Sequence, residues 1–223
     1  LPVKLGSPSV PMPGYEIDIL GEDGAPKPAG ELGAIGVKLP LPHIKCIFLH
    51  MKEYSFSSID SDLAAKCHEL NEKNVPNDGS RSLEGLTNSI ENSDYNEAIV
   101  FDNKVIGFVV CFQDNDLTKS YMKKTEHKNF KEISNRVDNF LYIDRIAVDA
   151  KYRNNKLGTS LYKNILNYAK ENSIDYLTAE INLLPSINEA SFKFHESFGF
   201  VEFGSVKYSE DYEVSLQKLV INS

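Results

Sequence analysis

The stretch FLYIDRIAVDAKYRNNKLGTSLYKNILNYAKEN, Phe140 to Asn172, decides the fold. Phe140 to Asp149 is a near-continuous apolar run of strand length, the pattern of a strand covered on both faces. Leu157, Leu161, Ile165 and the pair Tyr168/Ala169 then recur along one side of a helix. Strand, tight turn and helix follow in that order. Toward the C-terminus, Tyr176 to Leu183 reads as a second strand. A helix with Ala190, Phe194 and Phe198 on one side comes next, and Gly199 ends it as a C-terminal cap. FVEFGSV and EVSLQKLV close the chain as two further strands.

Toward the N-terminus, NEAIVFD and KVIGFVVCFQ flank Asn103 and predict a hairpin with a short turn. Asp60 caps a helix carrying Leu63, Ala64, Cys67 and Leu70, which NVPNDGS ends, and Ser82 precedes a shorter helix with Leu83, Leu86 and Ile90. KEYSFSSI before them is strand-like. The polar segment Asp114 to Asp138 lacks a long apolar period and reads as a solvated lid or loop with short helices. The sum is an α/β plan, a strand-helix-strand core flanked by antiparallel hairpins.

Composition bounds the function. The chain has 223 residues, 41% hydrophobic and 25% charged, which suits a globular domain. With 24 Lys+Arg against 32 Asp+Glu the net charge is -8, which argues against the basic face that nucleic acid requires. No apolar run approaches the roughly 18 residues of a membrane span. Cys46, Cys67 and Cys111 are scattered and odd in number, so neither a disulfide framework nor a metal-ligand spacing emerges. Reduced, packed thiols in a cytoplasmic protein, without metal, are the expectation.

The turn between Asp149 and Ser160 is the informative site. A helix opening directly after a strand presents unpaired N–H groups and a partial positive charge, which together bind phosphate. Arg153 and Lys156 add charge, and Gly158 would let the backbone approach a diphosphate. The same residues are equally ordinary turn chemistry, so spacing alone leaves both readings open.

FLYIDRIAVDAKYRNNKLGTSLY followed by INEASFKFHESFGF resembles the GNAT superfamily of N-acetyltransferases, across essentially all of residues 51–223. The resemblance implies a mixed, mostly antiparallel sheet with two splayed strands and flanking helices. It also implies acetyl-CoA as acyl donor, its pyrophosphate cradled by a turn that matches here as Arg153, Asn154, Asn155, Lys156, Leu157, Gly158 and Thr159. Lys156 stands where that motif usually has its first glycine. The main chain of Ile146, Ala147 and Val148 would pair with the pantetheine arm like another strand, and Asn188 would help hold it. Seven residues after Asn188 the family commonly places a Tyr that protonates the leaving thiolate; here it is His195, whose ordinary pKa suits the task.

A general base must also free the attacking amine. Glu180 and Asp144 are candidates, carboxylates inside otherwise apolar strands where burial would raise the pKa. An internal ion pair with Arg145 or Arg153 is the equal alternative for either. Tyr142 and Asn182 are placed to orient the acceptor. The leading expectation is acetyl transfer to a primary amine of a small molecule or peptide, by direct attack in a ternary complex. A non-catalytic acyl-CoA-binding module is the second reading. Oligomeric state is left open, with a homodimer as one option.

Residues 1–43 differ in composition from the rest. They hold 8 of the 10 Pro and 7 of the 13 Gly, while all 19 Asn lie beyond position 51. Two apolar stretches, Tyr15 to Leu20 and Gly33 to Leu39, flank a turn-rich segment and predict a loosely attached hairpin. GSPSVPMPGYEIDILGEDGAPKPAGELGAIGVKLPLP is similar to a segment of acetyl- and propionyl-CoA synthetases, which implies a ligase remnant too small to hold a nucleotide. With residues 44–50 as a junction and Met51 placed where a domain could begin, a truncated or joined reading frame is expected.

Overall fold

The computed structural model describes residues 17–28, 30–31, 34–37, 54–75 and 79–221. The chain divides into two compact units, Leu1–Lys52 and Glu53–Ser223. In the first, β1 (Ile17–Leu20) and β2 (Ala34–Val37) pair antiparallel, so the expected hairpin is present. Tyr15, Gly33, Leu39 and Cys46 lie outside the described residues.

The second unit is built on a seven-stranded sheet of order β3-β4-β5-β6-β7-β9-β8. β3 (Ser55–Ser57) is a short edge strand on β4 (Tyr95–Phe101), and β4 turns into β5 (Lys104–Gln113). Asp102 and Asn103, at φ 52° and 59°, supply the two left-handed residues that a tight hairpin turn demands. β6 (Phe140–Val148) pairs antiparallel with β5, β7 (Tyr176–Leu184) runs parallel to β6, and β8 (Val201–Ser209) with β9 (Tyr212–Val220) completes the antiparallel side. The mixed, mostly antiparallel α/β architecture expected from the sequence is the one observed.

The helices cover both faces. α1 (Ser61–Asn74) and α2 (Leu83–Glu91) begin where the Asp60 and Ser82 side chains accept from the N–H groups of Leu63 and Gly85. Together with α3 (Asp116–Lys124) and α4 (Lys128–Ser134) they share one core with Phe108, Val110, Phe112 and Tyr142. α5 (Leu157–Glu171) and α6 (Glu189–Phe198) cover the other face with Val109, Cys111, Leu141 and Ile143. The odd-even split of β5 and β6 between the two cores is the strand period of two.

Two expectations need correction. The segment Asp114 to Asp138 is no solvated lid: Met122, Phe130 and Ile133 are buried in the first core. Its apolar residues are shared between two short helices, too few in each to show a period. On α6, Phe194 and Phe198 pack against the second core as expected and His195 is buried beside them, but Ala190 is exposed. Cys67 and Cys111 are free and buried, as packing thiols are. Among the described residues no helix is long and apolar enough to cross a membrane.

Candidate functional site

β6 and β7 are neighbours for only three residue pairs, ending at Tyr142 and Thr178. Beyond them the strands part, for a reason visible in their other partners. β7 keeps register with β9 as far as Asn182, whereas β6 follows β5 through a bulge in which Asp144 is the extra residue between Ile143 and Arg145. A bulge bends and twists its strand, so β6 swings away from β7. The fork opens into a cleft of about 1030 Å³ whose walls include Ile146, Ala147, Val148, Glu180 and Asn182. Their main chain on the fork side carries no strand partner, a row of groups suited to an extended ligand.

The N-terminus of α5 lies on the same cleft through Lys156, Leu157, Gly158 and Thr159. Lys156 sits at the N-cap position with φ 60° and no side-chain cap, so the first N–H groups of the helix have no partner within it. That left-handed conformation is the one a glycine takes without strain. Gly158 has a second reason to lack a side chain, since a Cβ there would approach Phe194 Cζ to 3.3 Å. Asn154 also lines the cleft, at φ 66°.

Other residues expected at the turn are occupied elsewhere. Asn155 donates to the Tyr152 carbonyl at 3.2 Å and is absent from the cleft wall. Arg153 borders the cleft, but its Nη2 donates to Asn74 Oδ1 at 2.9 Å and its Nε to the Val148 carbonyl at 3.4 Å, tying α1 to the end of β6. Asn188 caps α6, its Oδ1 accepting from Ser191 N–H at 3.1 Å, and its own N–H donates to the Asn182 carbonyl at 3.2 Å. Only its side-chain NH2 is left to act as a donor.

His195 is 4% exposed. Its Nδ1 lies 2.8 Å from the Ser191 carbonyl, which can only accept, so Nδ1 carries the proton and Nε2 accepts from the Tyr162 hydroxyl at 2.7 Å. Burial lowers its pKa and keeps the ring neutral. His195 lines the cleft, but both nitrogens are hydrogen-bonded within the protein: the Nδ1 proton is held by the Ser191 carbonyl, and Nε2 carries none.

The two carboxylates separate by environment. Asp144 Oδ1 is 2.8 Å from His127 Nε2, Oδ2 is 3.3 Å from Arg81 Nη1 and 3.7 Å from Arg145 Nε. Burial opposes its ionisation, but the His127 hydrogen bond and the charges of His127, Arg81 and Arg145 outweigh it, holding the carboxyl well below its ordinary range. Asp144 is thus the ion pair foreseen as the alternative, with Arg145 a partner and Arg153 not, and it lacks the basicity of a general base. Glu180 differs. Burial pushes its carboxyl up and the Asp144 charge adds to this, with Tyr142, His127 and Asn129 offsetting part. Oε1 accepts from Asn129 Nδ2 at 2.9 Å, while Oε2 is buried without a partner.

Tyr142, expected to touch the acceptor, is fully buried beneath the fork, ringed by Phe130 and His127. Its hydroxyl, without a hydrogen bond of good geometry, adjoins the Glu180 carboxyl. Arg81, His127 and Asn129 line the cleft and were not anticipated. Arg81 comes from a loop 63 residues before Asp144, and His127 and Asn129 from the start of α4, the helix before β6; no spacing marks them. Among the described residues no group of three or more His, Cys, Asp or Glu is placed to hold a metal ion.

A family model described as Acetyltransferase (GNAT) family matches residues 65–200. No curated protein sequence matches. Among solved structures, Ard1 from Thermoplasma volcanium aligns with TM-score 0.60 and 12% identity over 76% of this chain and 99% of its own. The ribosomal-protein-S18-alanine N-acetyltransferase from Escherichia coli gives 0.57 and 15% over 77% and 96%. Arabidopsis thaliana Naa50, solved with the bisubstrate analogue CoA-Ac-MVNAL, gives 0.55 and 15% over 74% and 97%. At these identities the likeness is one of fold.

Proposed function

Because the chain belongs to the acetyltransferase (GNAT) family, we propose that it moves an acetyl group from acetyl-CoA to a primary amine of a small molecule or peptide, by direct attack in a ternary complex. The observation that carries this reading is the fork: β6 and β7 part after Tyr142 and Thr178, and their facing main chain has no strand partner beside the N-terminus of α5. An extended pantetheine arm fits such an edge, and a diphosphate fits the open helix terminus. The analogue bound to Naa50 joins CoA, an acetyl group and a peptide, the pairing of ligands proposed for this cleft.

The residues divide the work as follows. The first N–H groups of α5, with Lys156, hold the diphosphate. Main-chain N–H groups of Ile146 and Val148 hold the arm and polarise the thioester carbonyl. Glu180 Oε2 takes the proton of the attacking ammonium, its raised pKa matching the task better than that of Asp144. The amine nitrogen then bonds the carbonyl carbon, the C–S bond breaks with its electron pair on sulfur, and the second proton that nitrogen loses as the amide forms passes through water to the thiolate. A thiol with a pKa of about 8.5 needs no strong acid for that step. Asn129 orients Glu180, and His195 with Tyr162 holds α6 against α5.

The test is a thiol-release assay with acetyl-CoA and amine acceptors on the full chain. We expect turnover that falls at least about 100-fold in Glu180→Gln, the size of a lost general base, with acetyl-CoA affinity retained. Binding without turnover for every amine would leave only a binding module.

A further inference from the structure

The half of the cleft around Asp144 carries polar groups that this chemistry does not use. Arg145 is 9% exposed; its Nη1 donates to Asn71 Oδ1 at 2.8 Å and to the Gly79 carbonyl at 2.5 Å. Its Nε is buried without a hydrogen-bond partner, 3.7 Å from Asp144 Oδ2. Arg81 commits one nitrogen, Nη1, to Ser89 Oγ at 2.6 Å and to Asp144 Oδ2 at 3.3 Å. Its Nε and Nη2 make no hydrogen bond among the described residues. On the same cleft Asn129 Oδ1 is a buried acceptor without a donor, and Glu180 Oε2, which adjoins the Tyr142 hydroxyl, makes no hydrogen bond of good geometry. All four residues line the cleft.

Buried polar groups in folded proteins are almost all paired, and a cluster of unpaired ones beside an open cleft marks a place where a ligand supplies the partners. Here the missing partners are of two kinds. The guanidinium groups of Arg81 and Arg145 share one carboxylate, Asp144, and keep N–H groups without an acceptor. Glu180 Oε2 and Asn129 Oδ1 lack an N–H donor. We propose that the acceptor is a small zwitterion, an amine bearing a carboxylate a few bonds away, as in a free amino acid. Its amine is received by Glu180 and Asn129 and its carboxylate by Arg81 and Arg145. This rests on the acyl-transfer reading above and narrows it. The pair of guanidinium groups rewards a ligand that brings its own carboxylate. It also disfavours polyamines, which bring several cations, while the N-terminus of a peptide brings no adjacent carboxylate.

The test compares free L-amino acids with their amides, spermidine and a short peptide in the thiol-release assay, with acetyl-CoA binding followed separately by titration. We expect kcat/KM for the preferred amino acid at least tenfold above that of its amide. Arg81→Ala should erase that ratio through KM and leave the acetyl-CoA Kd unchanged, and Arg81→Lys should restore part of it. Amides, spermidine or peptide turned over as well as amino acids would overturn the proposal, as would acetyl-CoA binding with no amino acid acetylated. Absence of acetyl-CoA binding would instead remove the acyl-transfer reading itself, and the zwitterion with it. The wild-type ratio stands as a test even if the Arg81 variants fold poorly.

Discussion

Asp144 Oδ1 lies 2.8 Å from His127 Nε2, joining the bulged residue of β6 to the N-cap of α4. The contact fixes the segment Asp114–Asp138 against the sheet beside the point where β6 leaves β7. The same carboxylate holds Arg81 and Arg145, so one buried side chain organises the acceptor half of the cleft.

Removing that carboxylate should be costly. Asp144→Asn leaves buried cations short of a partner, and a loss of about 3 kcal/mol is expected, the low end for a broken buried pair because Arg81 keeps some contact with water. A lowered urea midpoint with unchanged slope checks it. The pair is also pH-dependent. His127 is penalised by burial but raised on balance by Asp144, so its contribution is complete below its ordinary value of 6.5 and fades as pH rises through the folded-state value. Asp144 is depressed, so its contribution is complete above its ordinary 3.8 and fades below it. The stability advantage of wild type over His127→Gln should therefore be greatest between those limits and shrink toward pH 9.

Glu180 should trade stability for activity. Its raised pKa means that ionising it in the folded state costs stability, a cost absent below its ordinary 4.5 and growing as pH rises through the folded-state value. Glu180→Gln keeps the bond from Asn129 and removes the cost. Its urea midpoint should exceed that of wild type at pH 8 and match it near pH 4, while turnover is lost. A variant less stable than wild type at pH 8 would contradict the assignment.

Tyr162 and His195 should prove structural. Tyr162→Phe strands the buried Nε2 of His195 without its donor and should cost about 1–3 kcal/mol, leaving kcat unchanged. His195→Phe likewise should keep turnover where it folds. Turnover lost with acetyl-CoA binding intact would return His195 to the chemistry.

Lys156→Gly should stabilise. Lys156 holds φ 60°, a conformation that costs a side-chain-bearing residue about 1–2 kcal/mol and a glycine nothing. After the greater entropy of glycine in the unfolded chain, a gain of about 1 kcal/mol remains, read as a rise of roughly 2–4 °C in melting temperature.

Much of the framework was legible because it follows from short-range rules. Asp60 and Ser82 announced helices, Asn103 a turn, Gly199 a helix end, and the apolar run Phe140 to Asp149 a buried strand, observed as Phe140–Val148. The site was less legible because its polar groups are sorted by long-range partners. Asp144 and Glu180 look alike in sequence, and only Arg81, His127 and Asn129, brought in from separate elements, drive their carboxyls in opposite directions. Arg153 and Asn155 looked free for a phosphate, yet Asn74 and the Tyr152 carbonyl claim them. The bulge at Asp144 that opens the fork depends on how β5 and β6 align, which neither strand states alone.

Calorimetric titration of acetyl-CoA into the full chain tests the fork most directly. Saturable binding at one site per chain is expected, weakened about tenfold by Lys156→Glu, which reverses one charge at the start of α5 without relieving its backbone strain. No heat at millimolar acetyl-CoA, or a Lys156→Glu variant that binds as wild type does, would contradict it.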